Sequence, residues 1–415
     1  MPATTTPKAR KRIAIVTMGV KLGDETRGYT RFRFLAEFLA KKGYAVDLIT
    51  SSFQHWDKAQ RDVNSEEYLG LPYRVVFIKE PGYKRNLDFR RIRSHAVAAR
   101  GMEDYFAKHA GQYALIYSEI PPNDVALACA EAAERDGIPY VADINDLWPE
   151  AMRMVVDIPV ISDIAFHGFT RDAHKVYRLL SGAVGTSDEY AARPALDRLE
   201  PYPHVTCYVG NDLAEFDAGV AKHAAGIQKP EGEFWVTYAG TLGASYDLAT
   251  TVKAAAALAG DYPQLRVKVL GDGPDRQKLE ELAARLHAPV DFVGYTAYPL
   301  MAAYLTRSDL TLNSLVKAAP QSIVTKIGDY LAAGKPMINT GSSPEMRAKT
   351  DSDGFGVNVV AEDAAELAGA IVALMENDEA RAIMGVRARQ VAETEFDRPQ
   401  SYERIVGLLE SLMGA

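Results

Sequence analysis

In the first half of the chain, short unbroken apolar runs alternate with longer stretches in which apolar residues recur every three to four positions. IAIVTM (13–18), AVDLIT (45–50), YRVVFI (73–78), ALIYS (114–118) and PYVADI (139–144) read as strands. Residues 29–42, closed by Gly43, together with 92–109 and 125–136, read as helices between them. Strands that are apolar on both faces, flanked by amphipathic helices, imply a parallel sheet covered on both sides. The rhythm breaks over residues 201–232, which are rich in Gly, Pro and polar residues. It restarts with FWVTYAG, LRVKVLGDGP, VDFVGY and DLTLNS, separated by helical patterns near 247–258, 276–286 and 299–306, and the C-terminal stretch reads as helical. The expected fold class is α/β, with two doubly wound Rossmann-like domains. The boundaries read as a flexible tail over 1–11, an N-terminal domain over 12–210, a linker over 211–232, a C-terminal domain over 233–395 and a final helix over 396–415 packing back on the N-terminal domain. Two such domains are expected to face each other across a cleft at the carboxyl ends of their strands, where open α/β sheets take ligands.

Composition narrows the function classes. With 47% hydrophobic and 25% charged residues over 415 positions, the chain has globular rather than disordered usage. A formal charge of −8 gives no electrostatic footprint for duplex nucleic acid. Two cysteines, Cys129 and Cys207, without a CxxC pair, argue against a disulfide framework or a cysteine zinc site, so a cytoplasmic location is expected. No run approaches the roughly 18 apolar residues of a membrane span, and the start MPATTTPKARKR lacks the apolar region of a signal peptide. Any membrane contact is expected to be peripheral, at the inner face of the plasma membrane. One segment runs against the acidic balance: KRNLDFRRIR (84–93) packs five basic residues into ten positions. It reads either as a solvated face or as a site for acceptor phosphate or an anionic membrane surface.

The most informative segment is PQSIVTKIGDYLAAGKPMINT (320–340). Ser322 at one end and Gly334 before Lys335-Pro336 at the other predict a helix of about three turns. Its apolar stripe is Ile323, Ile327, Tyr330 and Leu331, and its polar stripe is Ser322, Thr325, Lys326 and Asp329. A helix start at a cleft, reinforced by Lys326, suits a diphosphate, and Asp329 is an acceptor-only group able to take ribose hydroxyls. The alternative is an exposed i,i+3 pair of little energetic weight. YAGTLGASYDL (238–248) and VLGDGPDRQKLEEL (269–282) are glycine-rich strand-to-helix turns that either approach a phosphate or simply connect tightly. Neither matches GxGxxG or a P-loop, which weighs against dehydrogenases and P-loop NTPases. ADINDLWPEAM sets Asp143, Asp146, Trp148 and Glu150 just beyond a strand end, with helix capping by Asp146 as the alternative role. YSEIPPND (117–124) ends the preceding strand on the same side. The eight histidines show no metal-ligand spacing, and no GxSxG elbow occurs, so neither a metal nor a serine nucleophile is expected.

Taken in order, YAGTLG, LGDGP, VDFVGY and KIGDYLAAGKPMINT resemble the retaining nucleotide-sugar glycosyltransferases of family four, and the likeness extends over nearly the whole chain. DINDLWPE and TSSFQHWDK resemble the subgroup that assembles bacterial capsule, O-antigen or exopolysaccharide. The resemblance implies the GT-B fold and transfer of a sugar, with retention, from a UDP- or GDP-sugar to an acceptor glycan or lipid-linked sugar. No cofactor beyond that donor is implied. In that family two glutamates eight residues apart hold the donor. Gln321 and Asp329 stand at these positions here. The implied donor contacts are Gly240, Thr241, Leu242, Gly243, Gly271, Gly273, Tyr295, Gln321, Ser322, Ile323, Lys326 and Asp329. Asp146 and Glu119 are the expected groups near the reacting centre, and Arg27, Arg31 and Trp148 the expected acceptor contacts. Gln321 in place of glutamate motivates an alternative, a non-catalytic nucleotide-sugar-binding partner subunit or scaffold of the same fold. A sugar epimerase of this fold is a third reading.

Overall fold

A computed structural model of the chain describes residues 10–23, 25, 30–85, 88–148, 150, 161–319 and 323–414. The chain forms two compact units, the first made of residues 1–207 and 402–415, the second of residues 208–401.

Unit 1 is built on seven parallel strands: β1 (Arg12–Val16), β2 (Ala45–Ser51), β3 (Arg74–Ile78), β4 (Leu115–Ile120), β5 (Tyr140–Ile144), β6 (Gly182–Gly185) and β7 (His204–Thr206), in the order β3-β2-β1-β4-β5-β6-β7. The helices α1 (Arg31–Lys41), α2 (Phe89–Lys108), α3 (Asn123–Asp136) and α4 (Ile161–Leu179) follow their strands as the apolar periodicity requires. The strand order reverses between β1 and β4, which parts the loops at their carboxyl ends and opens a crevice there. β4 and β5 are buried along their whole length, which explains their unbroken apolar reading in sequence.

Unit 2 opens with α5 (Leu213–His223), inside the stretch expected as a linker. It is capped by Asp212, whose carboxylate accepts from the Ala214 and Glu215 N–H groups. The helix packs so closely on α8 (Tyr298–Arg307) that a Cβ on Gly219 would lie 2.7 Å from Pro299 Cα. Six parallel strands follow: β8 (Phe234–Ala239), β9 (Leu265–Leu270), β10 (Val290–Gly294), β11 (Leu310–Asn313), β12 (Met337–Asn339) and β13 (Gly356–Asn358), in the order β10-β9-β8-β11-β12-β13. The sheet is covered by α6 (Leu248–Leu258), α7 (Arg276–Leu286), α9 (Ile327–Ala332), α10 (Pro344–Asp353), α11 (Ala364–Met375) and α12 (Asp378–Val391). Its switch point lies between β8 and β11.

The predicted helix from Ser322 to Gly334 is corrected. The helix is only α9, six residues long, with Lys326 at its N-cap, and residues 323–326 are not helical. Ile323, Val324 and Thr325 are consecutive β-branched residues, which lose χ1 freedom in a helix and favour extended backbone. Gln321 and Ser322 lie outside the described residues, as does Arg27.

The chain then returns to unit 1. The helix α13 (Glu403–Leu412) buries Ile405, Val406, Leu408 and Leu409. They join Ile13, Ile15, Leu48, Phe32 and Tyr402 in one core.

Candidate functional site

In unit 2 three strand-to-helix turns converge at the carboxyl edge of the sheet. The turn after β8 meets the turn after β9 backbone to backbone, with Gly240 N–H donating to the Leu270 carbonyl at 2.8 Å and Leu242 N–H to the Asp272 carbonyl at 3.0 Å. Glycine is required by approach. A Cβ on Gly271 would sit 1.9 Å from the Gly240 carbonyl oxygen, and one on Gly273 would sit 2.2 Å from that of Leu242. Within Gly240 to Gly243 this leaves only the N–H groups of Thr241 and Gly243 without a partner among the described residues.

Lys326 closes over this turn. Its Nζ donates to Tyr238 Oη at 2.9 Å and lies 4.2 Å and 3.8 Å from the centres of the Tyr238 and Tyr246 rings. A Cβ on Gly240 would come within 2.4 Å of that nitrogen. No carboxylate pairs with Lys326 among the described residues, and burial pushes its pKa well below the usual lysine value. Asp329, on α9, is positioned by unit 2 side chains: Oδ1 accepts from Asn211 Nδ2 at 2.9 Å and Tyr298 Oη at 2.8 Å. Burial raises its pKa while those two bonds oppose the rise. Oδ2 is left without a partner among the described residues.

Unit 1 holds a cavity of about 170 Å³ at its own switch point. Glu119, near the end of β4, accepts from Thr17 Oγ1 at 2.5 Å and Met18 N–H at 3.0 Å. Burial lifts its pKa to about 7, against the pull of those donors. Opposite stand Asp146, accepting from Trp148 Nε1 at 3.1 Å, and Trp148 itself. Burial raises the Asp146 pKa as well. Arg91, from the basic run and α2, lies 4.8 Å from the Trp148 ring centre and 5.5 Å from that of Tyr83. His55 and His95 complete the wall. Burial first, then Lys58 and Arg91, lowers the His55 pKa to about 4, and burial with Arg91 and His55 takes His95 to about 3, so both rings are neutral at pH 7.

Residues 233–377 match the family model described as Glycosyl transferases group 1. That match lies within unit 2, which spans residues 208–401. No curated protein matches the chain in sequence. Among solved structures, Anabaena HepE in complex with UDP has a TM-score of 0.70 at 16% identity, covering 97% of this chain and 100% of its own. Sucrose-phosphate synthase from Thermosynechococcus elongatus scores 0.71 at 17% identity, with 98% and 100% covered. WaaG, a glycosyltransferase involved in lipopolysaccharide biosynthesis, scores 0.63 at 13%, with 97% and 100% covered. The fold is GT-B.

Within unit 2, Gly240, Gly243, Gly271, Gly273, Lys326 and Asp329 fall at the carboxyl edge of the sheet, with Ile323 half-buried beside α9. Thr241 has an exposed side chain. Leu242 belongs to the core, and its N–H and carbonyl are both engaged, so it supports the turn rather than contacting a ligand. Tyr295 is 80% exposed. With α9 so short, the helix-start argument for diphosphate binding falls away and the charge of Lys326 has to carry it.

In unit 1, Glu119, Asp146 and Trp148 do meet in one cavity. Arg31 does not reach it. Its guanidinium is 1% exposed and grips Asp143 through two bonds, Nε to Oδ2 at 2.7 Å and Nη2 to Oδ1 at 3.1 Å, so it is corrected from acceptor contact to core ion pair. The same group reaches the Cys207 carbonyl and Tyr402 Oη. Glu150 pairs with Arg193 at 2.8 Å and is not among the residues lining the cavity. The sequence reading missed His55, Tyr83 and His95. Their only signals were the TSSFQHWDK likeness, which contains His55, and the basic run, which Tyr83 and His95 flank.

Proposed function

We propose that this chain is a retaining glycosyltransferase that moves a sugar from a nucleoside diphosphate sugar to a hydroxyl of a glycan or lipid-linked acceptor, in bacterial cell-surface polysaccharide assembly. The carrying observation is Lys326, a half-buried lysine with no anionic partner among the described residues, set over a glycine turn that offers two N–H groups without a partner among them. A diphosphate supplies the missing charge. As the glycosidic bond to the leaving phosphate breaks, negative charge grows on that oxygen and positive charge on the sugar ring, and Lys326 with the Thr241 and Gly243 N–H groups stabilises the former. Asp329 Oδ2 accepts the ribose hydroxyls. HepE binds UDP, and is also solved with UDP-glucose, which favours uridine as the base here.

Unit 1 takes the acceptor in this reading. Trp148 offers an apolar face for a sugar ring, while Glu119 and Asp146 are the groups near the reacting centre. With a pKa of about 7, Glu119 can hold or release the acceptor's proton near neutral pH. Gln321 and Ser322 extend the donor contacts. The exposed side chains of Phe89 and Ile92, interleaved with Arg90 and Arg93, form the peripheral contact with an anionic membrane.

The test is titration of UDP and GDP into the wild type and Lys326→Met, followed by a panel of donor sugars. Loss of one charge-assisted contact, about 1.5–3 kcal/mol, weakens binding by roughly 10- to 100-fold. Unchanged affinity in a folded variant would overturn the donor assignment, and tight binding without any turnover would favour the inert scaffold.

A further inference from the structure

The cavity of unit 1 holds a buried polar ring that the chemistry above does not use. His95, on α2, is 5% exposed and lines the cavity, and neither of its ring nitrogens has a hydrogen-bond partner among the described residues. A neutral imidazole carries one N–H donor and one bare acceptor nitrogen, and leaving them unmet away from bulk water costs free energy. The neighbouring polar groups are spent on one another. His55 Nδ1 and Tyr83 Oη share a hydrogen bond of 2.5 Å. Glu80 Oε2 accepts from Ser51 Oγ, and Oε1 from Ser94 Oγ at 2.8 Å. Ser94 precedes His95 on α2 and also accepts from the Gly82 N–H at 2.8 Å, so the turn of helix that carries His95 is fixed to the cavity wall. What remains to meet the ring is the occupant of the cavity.

The rest of the lining describes that occupant. Rings of Trp56, Tyr83 and Trp148 share the wall with the carboxyl groups of Glu80, Glu119 and Asp146. A pyranose suits both, with apolar C–H faces for the rings and a rim of hydroxyls that each donate and accept. A flat aromatic ligand would leave the carboxyl groups without donors. An anion would face three acidic groups against the guanidinium of Arg91. The volume of about 170 Å³ lies below the roughly 300–1,000 Å³ of drug-sized pockets and suits one ring.

On the reading of unit 1 as the acceptor lobe, we propose that His95 is a specificity-determining residue that reads a hydroxyl of a single, non-anionic pyranose ring held in this cavity. The acceptor then ends in a neutral sugar, and any phosphate it carries lies outside the cavity.

Intrinsic fluorescence reports on the site, because Trp56 and Trp148, two of the three tryptophans, line the cavity while Trp235 is buried in the core of unit 2. The full chain, without donor, is titrated with the methyl glycosides of glucose, galactose and mannose, and with methyl glucuronide. A saturable change is expected with at least one neutral glycoside and not with the glucuronide, and it should be unaltered in Lys326→Met. Loss of the hydrogen bond in His95→Phe should lower the apparent affinity about three- to tenfold, and His95→Gln, which keeps a donor and an acceptor, should recover part of it. Should His95→Phe fail to fold, crystals of the wild type soaked with the glycoside take its place, with a sugar hydroxyl expected within hydrogen-bond distance of a His95 ring nitrogen. No response to any neutral glycoside, an equal response to the glucuronide, undiminished affinity in His95→Phe or a sugar ring seated away from His95 would each overturn the proposal. A response abolished by Lys326→Met would also overturn it, by moving the sugar to the donor turn. Weak UDP binding with the glycoside response intact would leave it standing and count against the donor assignment.

Discussion

At the residue scale, Lys326 and Glu119 have pKa values displaced toward neutrality, and each makes a signed prediction. The proposed function has the charged form of Lys326 bind diphosphate, whereas burial favours the neutral form in the unliganded protein. UDP binding should therefore take up a proton, and affinity should fall as pH rises below the ordinary lysine value of 10.5. Calorimetry in buffers of different ionisation enthalpy detects the uptake, and Lys326→Arg should abolish it while keeping part of the affinity. Glu119 has a pKa raised from 4.5 to about 7. A raised value favours folding with the proton on, so its contribution is complete below the unfolded pKa and fades as pH climbs through about 7, by at most about 3 kcal/mol. Glu119→Gln should flatten the decline in denaturation midpoint between pH 5 and pH 8. An unaltered slope would place the titrating group elsewhere.

The same scale shows what was legible in sequence. Lys326, Asp329 and the glycine turns could be placed at the sheet's carboxyl edge because strand-to-helix turn geometry sits in contiguous residues. Arg31 was misread because its partner Asp143 lies 112 residues away, and nothing in the spacing of RFRFLAEF separates a core arginine from an acceptor contact. His55, Tyr83 and His95 come from three separate segments that only the sheet brings together.

At the scale of elements, the long buried strands were read, whereas the short β6, β7, β12 and β13 and the helices α4, α5 and α10 were not, and the helix expected over 322–334 proved shorter. Parallel strands buried on both faces must be continuous apolar runs, so the chain declares them directly. The segment 322–334 carried a helical stripe, but its Ile323-Val324-Thr325 run is not helical and only α9 survives. The glycine turns make an element-level contrast. Gly271→Ala drives a Cβ into the Gly240 backbone and should lower the melting temperature by several degrees. At Gly243 a Cβ meets nothing nearer than 3.8 Å, so Gly243→Ala should fold normally, and any loss of UDP affinity would locate the phosphate there. Between α1 and β5, Arg31→Met leaves Asp143 charged and buried. It should destabilise unit 1 by about 3–5 kcal/mol in chemical denaturation, with Arg31→Met/Asp143→Asn recovering part of the loss.

At the scale of the whole molecule, the acidic net charge and the basic, apolar start of α2 act in opposite senses on a membrane. Sedimentation with anionic vesicles should be salt-sensitive and should fall with Phe89→Ser, and equal binding to neutral vesicles would refute the electrostatic part of the reading. The return of α13 to unit 1 bears on biosynthesis. Residues 402–412 supply core side chains to a sheet whose strands leave the ribosome before any of unit 2. During translation the earlier-made lobe therefore has to wait, with an apolar seam unsealed, until the later-made one has been produced. A fragment ending at residue 207 should aggregate, and a peptide spanning 402–414, supplied in trans, should keep it in solution.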